Sequence, residues 1–93
     1  MAQQQRVSGR ATSIYQDNRD TVVRYHETII VRFNPKKITL DHGGWQTQTT
    51  RNRMVQASNQ FGLGYRVFQK DFEWFVTYKG KTVPFISPLE LER

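Results

Sequence analysis

Cysteine is absent from the chain, which excludes disulfides, a thiol nucleophile and a Cys-ligated zinc, and fits a reducing cytoplasm. No run approaches the roughly 18 apolar residues that a membrane-spanning helix needs. The first nine residues are polar and Gln-rich and lack the apolar run of a signal peptide. No membrane association is therefore expected. Histidine is scarce too. His26 and His42 are the only two, and neither has a companion at a metal-ligand spacing. There is no Ser-His-acid set, no paired-carboxylate pattern and no Gly-rich phosphate loop. The expectation is a non-enzymatic protein with no catalytic residue, no metal and no cofactor.

Acidic residues are the remaining scarcity. Eight Asp and Glu stand against 14 Lys and Arg, giving a net charge of +6 over 93 residues and a pI near 10.1. Between His42 and Lys70 there is no acid at all, whereas Arg51, Arg53, Arg66 and Lys70 fall inside that stretch. A positive central surface follows, suited to nucleic acid or an acidic protein partner. It could equally serve solubility alone.

What the chain does contain is a folded composition, 37% hydrophobic and 13% aromatic, in a length that makes one domain. Residues 1–10 read as a flexible tail, 11–86 as a single domain and 87–93 as a C-terminal tail or short helical turn. A short strand at 11–15 precedes the polar turn at 17–20. From Thr21 the pattern has period two, with Val23, Tyr25, Ile29, Val31 and Phe33 on one side and Arg24, His26, Thr28 and Arg32 on the other. Glu27 interrupts it, which points to a bulge or an edge. Ile38, Thr39 and Leu40 form a returning strand.

A helix is expected over 50–60, with threonines for an N-cap, Gly62 at the C′ position and Met54, Ala57 and Phe61 as its buried stripe. Strands follow at 65–68, 73–78 and 82–85. The order ββ(β)-α-βββ implies an α+β fold, a curved antiparallel sheet with one central helix on one face.

The stretch from Gly43 to Met54 stands out. Arg51 and Arg53 sit in the first helical turn, where the helix dipole favours anions over cations. One reading is an anion site built from Gln48, Thr49, Thr50, Arg51, Arg53 and free N–H groups. The other makes the threonines caps and the arginines solvated. Trp45 either plugs the space between sheet and helix or stacks on a base or partner pocket. Downstream, Tyr65, Val67, Trp74, Val76 and Tyr78 read as core. The opposite face would carry Arg66, Phe68, Lys70 and Phe75, either as a second packed layer or as a binding platform.

Tyr25-His26-Glu27-Thr28, Gly43-Gly44-Trp45, Thr49 to Met54, Gln56 to Phe61 and Trp74-Phe75-Val76 together resemble small proteins encoded by tailed bacteriophages. The likeness covers about residues 21–78. It implies a phage origin and no mechanism. From the basic surface and the helix entrance, the expectation is a non-enzymatic protein acting stoichiometrically in the host cytoplasm, on nucleic acid or a host nucleoprotein complex, through Arg51, Arg53, Thr49, Thr50, Arg66, Lys70 and Trp45. The rival is an inhibitor of a host protein or defence complex, with Trp45 or Phe72 as an aromatic anchor. A third possibility is a virion or assembly component that self-associates through an exposed strand edge. Nothing in the sequence fixes an oligomeric state.

Overall fold

The β-branched period-two runs do become strands, but in two sheets rather than one. The computed structural model describes residues 12–44 and 46–93; the expected tail at 1–10 and Trp45 lie outside the described residues. The elements are β1 (Thr12–Asp17), β2 (Asp20–Tyr25), β3 (Thr28–Phe33), β4 (Lys37–Leu40), α1 (Gln48–Phe61), β5 (Tyr65–Lys70), β6 (Glu73–Tyr78), β7 (Lys81–Pro84) and β8 (Leu89–Glu92). The class is α+β, with all strand pairs antiparallel. The first sheet runs β1-β2-β3-β4-β8 and the second β5-β6-β7.

Two expectations need correction. The run from Thr21 to Phe33 is a hairpin rather than one strand, because His26 takes a positive φ of 56° and turns the chain. The irregularity expected near Glu27 lies in β3 instead. Val23 pairs with Val31 and Arg24 with Ile29, which leaves Ile30 without a partner residue. Such an extra residue turns its side chain toward the face of its neighbour. Ile30 and Val31 are accordingly both fully buried in one core cluster, while Ile29 keeps the company of Arg24.

The second correction concerns residues 87–93. Leu89-Glu90-Leu91-Glu92 is neither a tail nor a helical turn: it is β8, paired in register with β4, and Leu91 enters the core. The sequence alternates apolar and acidic there, as a half-buried strand should.

The helix begins two residues earlier than expected. Thr47 is its N-cap, accepting from the Thr50 N–H at 3.3 Å, and Gly62 closes it in the left-handed conformation. Met54 and Ala57 are fully buried; Phe61 is half-buried and tilts against Phe33, ring centroids 5.0 Å apart. The helix is bolted to the second sheet by two buried polar side chains. Ser58 Oγ donates to the Tyr65 carbonyl at 2.8 Å and accepts the Tyr65 N–H at 3.1 Å. Tyr65 returns a bond from its hydroxyl to the Met54 carbonyl at 2.6 Å. Burial pushes the Tyr65 phenol up, so it remains a donor at any physiological pH.

Both sheets and the helix share a single core. Val23, Ile30, Val31, Ile38 and Leu40 meet Met54 and Ala57, and across from them Tyr65, Val67, Trp74 and Val76. Gly43 holds the β4–α1 connection against β3. Its φ is +57°, and a Cβ there would lie 2.5 Å from Thr28 Cγ2. Any other residue would have to displace Thr28 and would hold a strained backbone.

Candidate functional site

Spacing along the helix decides where the two first-turn arginines go. Residues two apart on an α-helix point about 200° from each other. Arg51 turns toward β5, its Nη1 donating to Gln69 Oε1 at 2.9 Å with the guanidinium 5.8 Å over the Trp74 ring. Arg53 turns toward β1, donating from Nε to Thr12 Oγ1 at 3.1 Å and from Nη1 to Gln56 Oε1 at 3.4 Å. The pair does not converge on one anion. Thr50 is fully buried, with its N–H and hydroxyl engaged by Thr47, so it cannot face a ligand either. Thr49 is exposed on the first turn. Trp45 falls outside the described residues.

The other two basic candidates are brought together. In β5 the side chains alternate: Tyr65 and Val67 enter the core, while Arg66, Phe68 and Lys70 face outward. Register then sets their neighbours, with Arg66 opposite Thr77, Phe68 opposite Phe75, Lys70 opposite Glu73 and Phe75 in turn opposite Pro84. Phe68 and Phe75 are half-buried and stacked on one another, centroids 5.6 Å apart and ring planes at 25°. The outward face thus carries an apolar row, Phe68-Phe75-Pro84, with exposed Arg66 on one side and exposed Lys70 on the other. Glu73 beside Lys70 weakens the positive field at that end.

Beyond Lys70 the chain turns through Asp71 and Phe72, with φ of 53° and 67°. Two successive left-handed residues closing a two-residue hairpin make a type I′ turn, which favours Asn or Asp followed by Gly. Phe72 instead occupies the second position and is 94% exposed. A non-glycine residue there costs about 1–2 kcal/mol of backbone strain, and the exposed ring gains nothing from burial. Behind the turn lies an open groove of about 570 Å³ lined by Arg51, Val67, Phe68, Gln69, Asp71 and Phe72. Phe68 belongs to both groove and outward face, so the two are continuous.

The alternation along 65–70 and 73–78 puts Arg66, Phe68, Lys70 and Phe75 on one face and gives Phe72 as a rival anchor, while nothing in it points to Gln69 or Asp71. The available signal was Asp71-Phe72 itself, a bulky residue where a two-residue hairpin asks for glycine.

The histidines have structural surroundings. His42 Nδ1 accepts the Gly44 N–H at 3.0 Å, and its ring lies 5.7 Å from Trp74 and 5.1 Å from Phe85. Among the described residues no three His, Asp or Glu gather as a metal site, and no helix is long and apolar enough to cross a membrane.

Compared with known proteins, residues 1–92 match the family model described as Kyanoviridae Gp96 protein. No curated protein and no solved structure matches the chain.

Proposed function

The chain belongs to the Kyanoviridae Gp96 protein family, a family of cyanophage proteins, and from that premise we propose that it is a non-enzymatic phage accessory protein that binds single-stranded nucleic acid on the outward face of β5-β6-β7. The observation that carries this reading is the stacked Phe68–Phe75 pair between Arg66 and Lys70. Every base has a π-face, so exposed aromatic rings hold unpaired bases without regard to sequence, while basic side chains track the phosphates. A duplex hides its base faces inside the stack, which makes a single strand the better fit.

The net charge of +6 supplies long-range attraction to any polyanion. Backbone contacts through Arg66 and Lys70 position the strand and give little sequence preference. The test is fluorescence anisotropy with labelled single- and double-stranded oligonucleotides. Salt-sensitive binding that favours the single strand supports the reading, and no binding at low salt overturns it.

Phe72 favours a second reading, an inhibitor of a host protein or defence complex. A fully exposed aromatic on a strained tip also suits an anchor for a protein pocket. The two differ in their dependence: protein docking needs Phe72 and not the Phe68–Phe75 pair, whereas strand binding needs the pair.

A further inference from the structure

The groove behind the β5–β6 turn differs in chemistry from the platform it adjoins. It offers an aromatic wall, fixed donors and one carboxylate, where the platform offers only π-faces and charge. Arg51 is held in place by two contacts, the Gln69 bond at 2.9 Å and the Trp74 ring beneath it. A guanidinium so fixed presents its remaining N–H groups in a planar fork. Gln69 has its oxygen committed to Arg51 and keeps its amide N–H groups for a ligand. On the turn side of the same groove stand Asp71, an acceptor, and the exposed Phe72 ring.

We propose that this groove is a base-selective subsite that takes one unpaired guanine of the bound strand. This deepens the single-strand reading and rests on it. Guanine carries two acceptors, O6 and N7, on one edge and two donors, N1–H and N2–H₂, on the adjoining edge. Arginine pairs with O6 and N7 in a bidentate manner, and a carboxylate can accept both N1–H and N2–H. Phe72 supplies the stacking surface, as aromatic side chains do for splayed-out bases. No other base presents two acceptors and two donors this way. Adenine and cytosine lack the second donor that Asp71 could accept, and thymine or uracil offers a single N–H. Phe68, shared by groove and platform, provides the path by which a strand lying on Phe75 and Phe68 delivers its next base over the β5 edge.

The groove also accounts for the strained turn. Phe72 holds a positive φ where the turn prefers glycine, and residues kept in costly conformations gather where function needs them.

The experiment compares the full chain's affinity for a labelled oligo(dT) of about twelve residues, a length typical of such surfaces, with the same oligomer carrying one central G, A or C. The G oligomer is expected to bind at least about fivefold tighter than the other three, the lower bound for one good bidentate base contact. In Asp71→Asn that ratio falls, because the carboxylate that accepts N1–H and N2–H has gone while Arg51 still meets O6 and N7. The same variant binds oligo(dT) more tightly, because a repelling charge has gone, and the turn survives because Asn tolerates left-handed φ. A purely structural role for Asp71 would lower both affinities together. Equal affinity for all four oligomers, with oligo(dT) binding intact, overturns the guanine subsite and leaves the platform standing. No binding of any oligomer overturns both. Binding of the G oligomer alone supports the groove and overturns the platform.

Discussion

Phe72 and Gly80 occupy the same position of two equivalent turns in one sheet, yet one is a bulky ring 94% exposed and the other has no side chain. Asp71-Phe72 joins β5 to β6, and Lys79-Gly80 joins β6 to β7, each with both residues at positive φ. At this second position the β6–β7 turn has the glycine that type I′ geometry favours, and the β5–β6 turn does not. The departure lies beside the groove and the aromatic pair.

Replacing Phe72 by Gly creates Asp-Gly, the preferred pair for this turn. The expected result is a more stable protein, by about 0.5–1 kcal/mol after the extra freedom of glycine in the unfolded chain is deducted. For a domain this size that is a melting temperature a few degrees higher, about 4–8 °C per kcal/mol. Binding to a guanine-containing single strand should weaken in the same variant. Thermal melts and anisotropy on one preparation read both, and a variant that is less stable contradicts the strain argument.

The salt dependence of binding should map to the outward face and not to the helix entrance. Each phosphate contact on a single strand contributes about 0.7 to the slope of log affinity against log salt. Arg66→Ala and Lys70→Ala should each lower the slope by about that amount. Arg53→Ala should leave it nearly unchanged, since that guanidinium is engaged at Thr12 and Gln56 on the β1 side. Titrations at four or more salt concentrations give the slopes.

Gly43→Ala should be among the most damaging single changes. The added methyl meets Thr28 at 2.5 Å, and the backbone holds φ +57°. Strain and displacement together cost about 2 kcal/mol or more, which lowers the melting temperature by roughly 10 °C. Gly44→Ala tests the cause. It has a positive φ with nothing within 4 Å, so it should cost clearly less.

Acid should act through one cluster on the first sheet. The Asn34 amide and the Arg32 guanidinium both donate to Asp20, and they hold its carboxyl below the usual carboxylate range. A depressed carboxylate stabilises the fold above its unfolded pKa, and that contribution is lost as pH falls through the lower folded value. Stability should therefore hold at neutral and mildly acidic pH and drop below the ordinary Asp range. Asp20→Asn should be less stable than the parent at pH 7 and show a shallower loss in acid. Chemical denaturation over a pH series checks both.

How much of this was legible in the sequence depends on the kind of signal. Local signals carried well: Gly62 as the helix terminus, Met54 and Ala57 as its buried stripe, and the β5–β6 alternation that separates Tyr65 and Val67 from Arg66 and Phe68. Signals that need a partner strand did not. Nothing local in 89–92 says that β4 lies open to receive it, although Leu-Glu-Leu-Glu has the right period. The bulge at Ile30 is visible only in the register against Val23 and Arg24. The divergence of the two first-turn arginines was contained in the sequence, because Arg51 and Arg53 two residues apart cannot share a helix face. Arg51 reaches the second sheet through its bond to Gln69, a contact that spans 18 residues.

The most direct measurement is anisotropy of a labelled single-stranded oligonucleotide with the parent chain and with Phe68→Ala, at about 50 and 200 mM salt. The parent should bind in the micromolar range or tighter and weaken about sevenfold across that interval if two phosphates are held. Phe68→Ala should bind at least about fivefold more weakly at both salts, as loss of one base–aromatic stack requires. Equal affinity of the two proteins, or no binding by the parent at the lower salt, contradicts the account.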